Sequence, residues 1–175
     1  MTIAAPDPIQ QHVQQMRMSD QSPEMQKLLQ DSVEDISLKW VTPAGWQESP
    51  GSGMRVATFA GPNVETTIIS LGGNAGGLQA NVVRWLRQIE IVDLSTPELD
   101  KILAAQENLT SQGGFAVTVF DLNPWAKQKT TSQNSMMAAI VNVDSSTVFI
   151  KMTGDTAAID KNREKFIQLC QSLTH

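Results

Sequence analysis

The residues that could do chemistry concentrate in one run, Leu71-Gly-Gly-Asn-Ala-Gly-Gly-Leu-Gln-Ala-Asn-Val-Val-Arg-Trp-Leu-Arg-Gln88. A glycine-rich turn opens there onto an amphipathic helix, and the unpaired N–H groups of a helix N-terminus favour an anion. Gly73, Asn74, Gly76 and Gly77 are therefore candidate anion contacts. The run departs from the dinucleotide pattern Gly-x-Gly-x-x-Gly, because Asn74 stands where the second glycine is required. It also lacks the Lys-Ser/Thr pair that completes a P-loop. The glycines have a structural explanation too, a sharp chain reversal and close packing of the helix, and that explanation is favoured.

Along the helix, Asn81, Arg84 and Gln88 recur at i, i+3 and i+7 beside an apolar stripe of Leu78, Val82, Trp85, Leu86 and Ile89. Residues so spaced share a helix face, while Arg87 points nearly opposite the core. One reading is a recognition strip, with the Arg84 guanidinium forked onto a carboxylate or phosphate. The other is a lock, in which Asn81 and Arg84 tie down neighbouring loop carbonyls. The lock is favoured. Trp40, Trp46, Trp85 and Trp125 could form an aromatic ligand wall, although large aromatics more often supply core area. Trp125 follows Asn-Pro in a polar stretch, is expected to be partly exposed, and joins the candidate binding residues.

Catalytic constellations are missing. The two histidines, His12 and His175, lie in a polar leader and at the last position, so neither a His-based triad nor a His-rich metal site can be assembled. The one cysteine, Cys170, excludes an internal disulfide and falls on the apolar face of a helix, as an inert buried thiol would. Asp93, Glu98, Asp100, Asp144 and Asp155 sit at helix starts or in a tight turn, where capping and dipole effects account for them. No catalytic residue, cofactor or metal is assigned.

Composition bounds the partners. The net charge of −5 comes without clustered Lys/Arg, which speaks against nucleic acid or an anionic membrane as the main partner. No apolar run approaches the ~18 residues of a transmembrane helix, and the first residues lack the pattern of a signal peptide. Either the protein is cytoplasmic or a targeting segment has been removed.

The elements that must position these residues read as follows. Residues 1–21 form a Gln/Pro-rich polar leader. Ser22-Pro23-Glu24 opens a short docking helix over 22–36, with Ser as N-cap and Pro at the first helical position. Residues 37–175 form one α+β domain. Leu38–Glu48 suggests a strand, a turn and a second extended piece, and Ser49–Gly53 another turn. Met54–Phe59 and Glu65–Leu71 alternate as strands joined by a hairpin turn. After the Gly77–Glu90 helix, Ser95-Thr-Pro-Glu98 starts a shorter one. Gly113–Leu122 is a strand, Pro124–Asn134 a polar loop, and Met136–Val143 and Thr147–Met152 two more strands. Gly154-Asp155 opens the final helix. Hairpin-paired strands with a crossover helix and a closing helix imply an α/β/α sandwich around a mainly antiparallel sheet.

Four pieces of this sequence, Trp40-x-x-Pro43-x-Gly45-Trp46, Met54-Arg55-x-Ala57-x-Phe59, Gly76-Gly77-x-x-x-Asn81-Val82-x-Arg84-Trp85-x-x-Gln88 and Phe149-x-Lys151-x-Thr153-Gly154, resemble a family of uncharacterised bacterial proteins and lipoproteins, notably of planctomycetes. The resemblance spans residues 38–175. Its architecture is similar to the Mog1/PsbP type of sandwich, which implies a non-enzymatic accessory role rather than an activity, and the lipoprotein members of the family imply a location in the periplasm or cell envelope. A removed lipidated leader would make the N-terminal segment a membrane tether.

Three functions stay open. The leading one is a binding or accessory domain that recognises a protein through the Gly-rich turn, Asn81, Arg84, Gln88 and Trp125. The second is small-anion or small-ligand binding, or a weak hydrolase, at the turn and Arg84; a concave site holding Arg84 beside a carboxylate would speak for it. The third is a structural homo-oligomer.

Overall fold

A computed structural model describes residues 37–73, 75–129 and 133–175. The expected leader, the 22–36 helix and Asn74 lie outside the described residues. The elements are β1 (Gln47–Pro50), β2 (Arg55–Gly61), β3 (Val64–Gly72), α1 (Leu78–Gln88), α2 (Thr96–Ala104), β4 (Glu107–Thr110), β5 (Ala116–Asp121), α3 (Asn123–Lys129), β6 (Asn134–Val143), β7 (Ser146–Asp155) and α4 (Thr156–Gln171).

The strands form one seven-stranded sheet in the order β1-β2-β3-β7-β6-β5-β4, and every pairing is antiparallel. Two meanders meet at its centre. The segment carrying α1 and α2 takes the chain from β3 to the far edge at β4, and the second meander returns until β7 pairs with β3. Tight turns set the register. Gly61 opposes Val64 across Pro62-Asn63, with Asn63 at φ 60°, and Val143 opposes Ser146 across Asp144-Ser145. One-residue alternation then sends neighbouring side chains to opposite faces.

That alternation builds two cores. On one face Ile68, Met137, Ala139, Val148, Ile150 and Met152 pack with Phe166, Leu169 and Cys170 of α4, and Trp46 and Phe59 close the end of this layer. On the other, Phe120, Met136, Ala138 and Phe149 meet Val82, Trp85, Leu86 and Ile89 of the α1 segment, Ile102 of α2 and Ala126 of α3. The result is the expected α+β sandwich, helices on both faces of an antiparallel sheet. Trp85 is 2% exposed, lying edge-on to Phe149 at 6.0 Å and tilted against Phe120 at 6.3 Å. Its burial and that of its neighbours hold α1 down; truncating so large a buried side chain costs about 3–5 kcal/mol.

The capping signals act as the sequence suggests. The Ser95 hydroxyl accepts from the Glu98 N–H while the Glu98 carboxylate accepts from the Ser95 N–H, a reciprocal capping box with Pro97 in the first turn. Asp155 caps α4 through the Ala158 N–H.

Three segments differ from expectation. The stretch from Leu38 forms an isolated bridge, Lys39 to Thr174, and Ser49-Pro50 belongs to strand β1 and not to a turn. Part of the expected Pro124–Asn134 loop is helix α3. Asp121 Oδ1 accepts from the Asn123 N–H, Pro124 fits a first helical turn, and buried Ala126 seats the helix. The edge strand β4 carries Glu-Asn-Leu-Thr, without the apolar alternation by which strands are recognised.

Among the described residues, no helix covers half of one face. On the α1 side the helices cover β5, β6 and β7, and among the described residues of β1–β3 only Leu71 joins that core. Ala60 and Glu65 are exposed there, and Thr58 and Ile69 half-buried.

Candidate functional site

The Gly-rich turn is clamped to the sheet by its own backbone. The Gly73 N–H donates to Ser145 O at 2.9 Å, and the Thr147 hydroxyl donates to Gly73 O at 2.6 Å. Gly76 and Gly77 hold φ of 91° and 80°, a region disfavoured for side-chain-bearing residues, and no atom lies within 4 Å of where a Cβ would sit on either. Backbone conformation therefore favours glycine at both positions, and crowding by neighbouring atoms does not.

Asn81 finishes the clamp. It is 3% exposed, and its Nδ2 donates to Ala75 O at 2.9 Å and to Gly77 O at 2.7 Å. Its remaining acceptor, Oδ1, takes a hydrogen bond from Arg84 Nη2 at 2.7 Å. Among the candidates, Asn81 is thus a lock whose amide is used internally.

Arg84 and Gln88 stand apart from it. Both are exposed, and one helical turn separates them, so they share a face of α1. Lys151 Nζ donates to Gln88 Oε1 at 3.0 Å, which turns that face toward β7 and the open half of the sheet. In register, Lys151 opposes Thr67 of β3, Thr153 opposes Glu65, and Ile69 opposes Phe149 on β7 and Arg55 on β2. Cross-strand partners share a face. Arg55 from β2, Arg84 from α1 and Lys151 from β7 are thereby assembled on one side, with Glu65 beside them. Burial, and then the neighbouring guanidinium groups of Arg84 and Arg55, hold the Lys151 ammonium below its usual pKa, with Glu65 opposing them. Thr67 lies beside Lys151 in register, buried, its hydroxyl without a hydrogen-bond partner.

A cleft of about 340 Å³ adjoins this group, between the C-terminal turn of α1 and the ends of β6 and β7. Gln88, Asn134, Ser135 and Thr153 give it polar walls, and Ile89 and Met136 apolar ones. Gln88 lines the cleft and Arg84 stands one turn behind it. A second cleft of about 200 Å³, lined by Asn81, Thr118, Asn142 and Thr147 among others, flanks the start of α1 and has no charged side chain on its walls.

The remaining candidates are placed elsewhere. Trp125 is half-buried on α3, a helix that packs on β6 and α4. Trp40 and Trp46 lie against Phe59 on the opposite face of the sheet from Trp85 and Trp125, so the four do not form one wall. Burial pushes the Cys170 thiol up to about 12. Carboxylates distant from the open face are held in pairs between elements: Glu98 with Lys129, Asp160 with Lys127, and Glu107 and Asp121 with Arg163. Among the described residues no three His, Cys, Asp or Glu side chains form a metal-ligand group, and no helix is long and apolar enough to cross a membrane.

Arg55 and Lys151 were not among the candidate site residues. No local spacing in the sequence groups them with Arg84.

No protein-family model matches the chain, and no curated protein matches it in sequence. Among solved structures it is similar to the cyanobacterial PsbP of a Synechocystis species, at 10% identity over 79% of this chain and 92% of that one, with a TM-score of 0.43. It is also similar to a Pseudomonas aeruginosa protein of unknown function described as a candidate regulator, at 12% identity over 81% of this chain and 84% of that one, with a TM-score of 0.38. Neither likeness transfers a ligand, a partner or an activity.

Proposed function

We propose that this chain is a non-enzymatic binding domain that holds an anionic ligand on the open half of its sheet, with Arg55, Arg84 and Lys151 as the charge-bearing contacts. The observation that carries this reading is their convergence from three separate elements onto one face, where Glu65 is the carboxylate that opposes them. Like charges brought together in a sheet are destabilising, and an anion bound among them reverses the sign of that interaction. The engagement of Glu98, Asp160, Glu107 and Asp121 in structural pairs supports binding over acid–base chemistry.

The test is ligand-dependent stabilisation. At low ionic strength, inorganic phosphate, citrate and oligo-aspartate are added to the full chain and the melting temperature is followed. At least one of them raises it, the effect fades toward about 1 M sodium chloride, where the screening length is about 3 Å, and the Arg55→Gln/Arg84→Gln/Lys151→Gln variant does not respond. A melting temperature indifferent to all three anions, or a response that survives in the variant, overturns the proposal.

A further inference from the structure

Resting on that reading, we infer that the ligand is a small phosphate monoester, its phosphoryl group held by Arg84, Lys151 and Arg55 and its hydroxyl-bearing body seated in the cleft beneath the last turn of α1.

Continuity is the first argument. Gln88 is both the hydrogen-bond partner of Lys151 and a wall of the cleft. Thr153, a second wall, lies two residues beyond Lys151 on the same strand and therefore on the same face. A ligand whose anionic end meets Lys151 and Arg84 thus has the cleft within the length of one side chain.

Size is the second. A volume of about 340 Å³ lies at the small end of the range for ligand pockets, roughly 300–1,000 Å³. It takes the body of a small metabolite and is too short for a folded partner or an extended peptide.

Charge selects the head group. Arg55, Arg84 and Lys151 set against Glu65 leave a double positive charge. A phosphate monoester is a dianion above its second pKa of about 6, whereas a single carboxylate leaves one cation uncompensated. Guanidinium forks match the tetrahedral oxygens of a phosphoryl group, and the lysine adds a point charge. Glu65 lies beside Thr153, at the cleft side of the cluster. There its carboxylate repels a second anionic group and accepts from hydroxyls, so the charged end is oriented toward the arginines. The amide of Gln88 and the hydroxyl of Thr153 are suited to an uncharged polyol.

Calorimetric titration of the full chain at low salt tests this with glycerol 3-phosphate and ribose 5-phosphate, against inorganic phosphate, glycerol, ribose and succinate. The esters are expected to bind about tenfold or more tightly than inorganic phosphate, and the unphosphorylated polyols not measurably. Arg84→Gln weakens esters and inorganic phosphate alike. Thr153→Val, checked for an unchanged melting temperature, removes the advantage of the esters and leaves inorganic phosphate binding as it was. Equal affinity for inorganic phosphate and esters overturns the inference, because the cleft then contributes nothing. Succinate or oligo-aspartate binding through Arg84 without any ester binding overturns the inference while the anionic-ligand reading stands. Silence to every anion removes both.

Discussion

Arg84 reaches back one helical turn to Asn81, Nη2 to Oδ1 at 2.7 Å, and this contact divides the polar stripe of α1 into two parts with different work. Toward the N-terminus the amide of Asn81 holds the Gly-rich turn to the helix. Toward the C-terminus Arg84 and Gln88 face the open sheet. The lock is complete without Arg84, because both amide protons of Asn81 already go to backbone carbonyls.

Asn81→Ala therefore acts on stability. It removes a buried donor from two carbonyls and a hydrogen bond from Arg84. About 1–2 kcal/mol is expected in denaturant unfolding, since Ala75 O loses the amide while Gly77 O keeps the Asn81 backbone N–H. A change below about 0.5 kcal/mol contradicts the lock.

Arg84→Ala separates binding from folding. Because Arg84 is exposed, its replacement changes unfolding free energy by about 0.5 kcal/mol or less, while anion-dependent stabilisation is lost. A fall of several degrees in melting temperature without ligand would make Arg84 part of the lock.

Lys151→Met carries the opposite sign. The lysine is half-buried beside two arginines, and removing its charge relieves a repulsion of roughly 0.2–1 kcal/mol. The ligand-free protein is expected to melt at the same temperature or higher, and to lose its response to phosphate. Destabilisation of the ligand-free protein together with an intact phosphate response contradicts the assignment.

Glu98 governs part of the acid limb. Its hydrogen bond to Lys129 and the capping box with Ser95 lower its pKa from the usual 4.5 to about 2. Between those values the unfolded chain binds more protons than the folded one, so stability rises with pH there. The contribution is complete above about pH 4.5 and is lost as pH falls through about 2. Thermal unfolding across this window should show a shallower pH dependence for Glu98→Gln than for the wild type, and identical slopes contradict the pairing.

How far the sequence revealed this architecture depended on how local each signal was. The capping box at Ser95–Glu98, the Asp155 cap and the apolar stripe around Trp85 each lie within a few turns of helix, and spacing alone exposes them. The role of Asn81 was legible for the same reason, since its partners are four and six residues away. Arg55 and Lys151 were not. They meet because both β2 and β7 pair with β3, and a register between distant strands leaves no trace in local periodicity. Helix α3 was hidden by its Asn-Pro start, which serves a turn as readily as a first helical position. Trp125 drew notice as a large aromatic in a polar stretch, and α3 packs it half-buried against the α1-side core.

The central claim is that the open half of the sheet holds an anion, and mapping the binding surface tests it most directly. In a ¹H–¹⁵N titration of the full chain with glycerol 3-phosphate at low salt, the Nε signals of Arg55 and Arg84 and the amides of Gln88, Lys151 and Thr153 should move together and saturate at one affinity. Shifts confined to the amides of Gly77–Ala80 at the start of α1, or no shifts at all, would contradict the account.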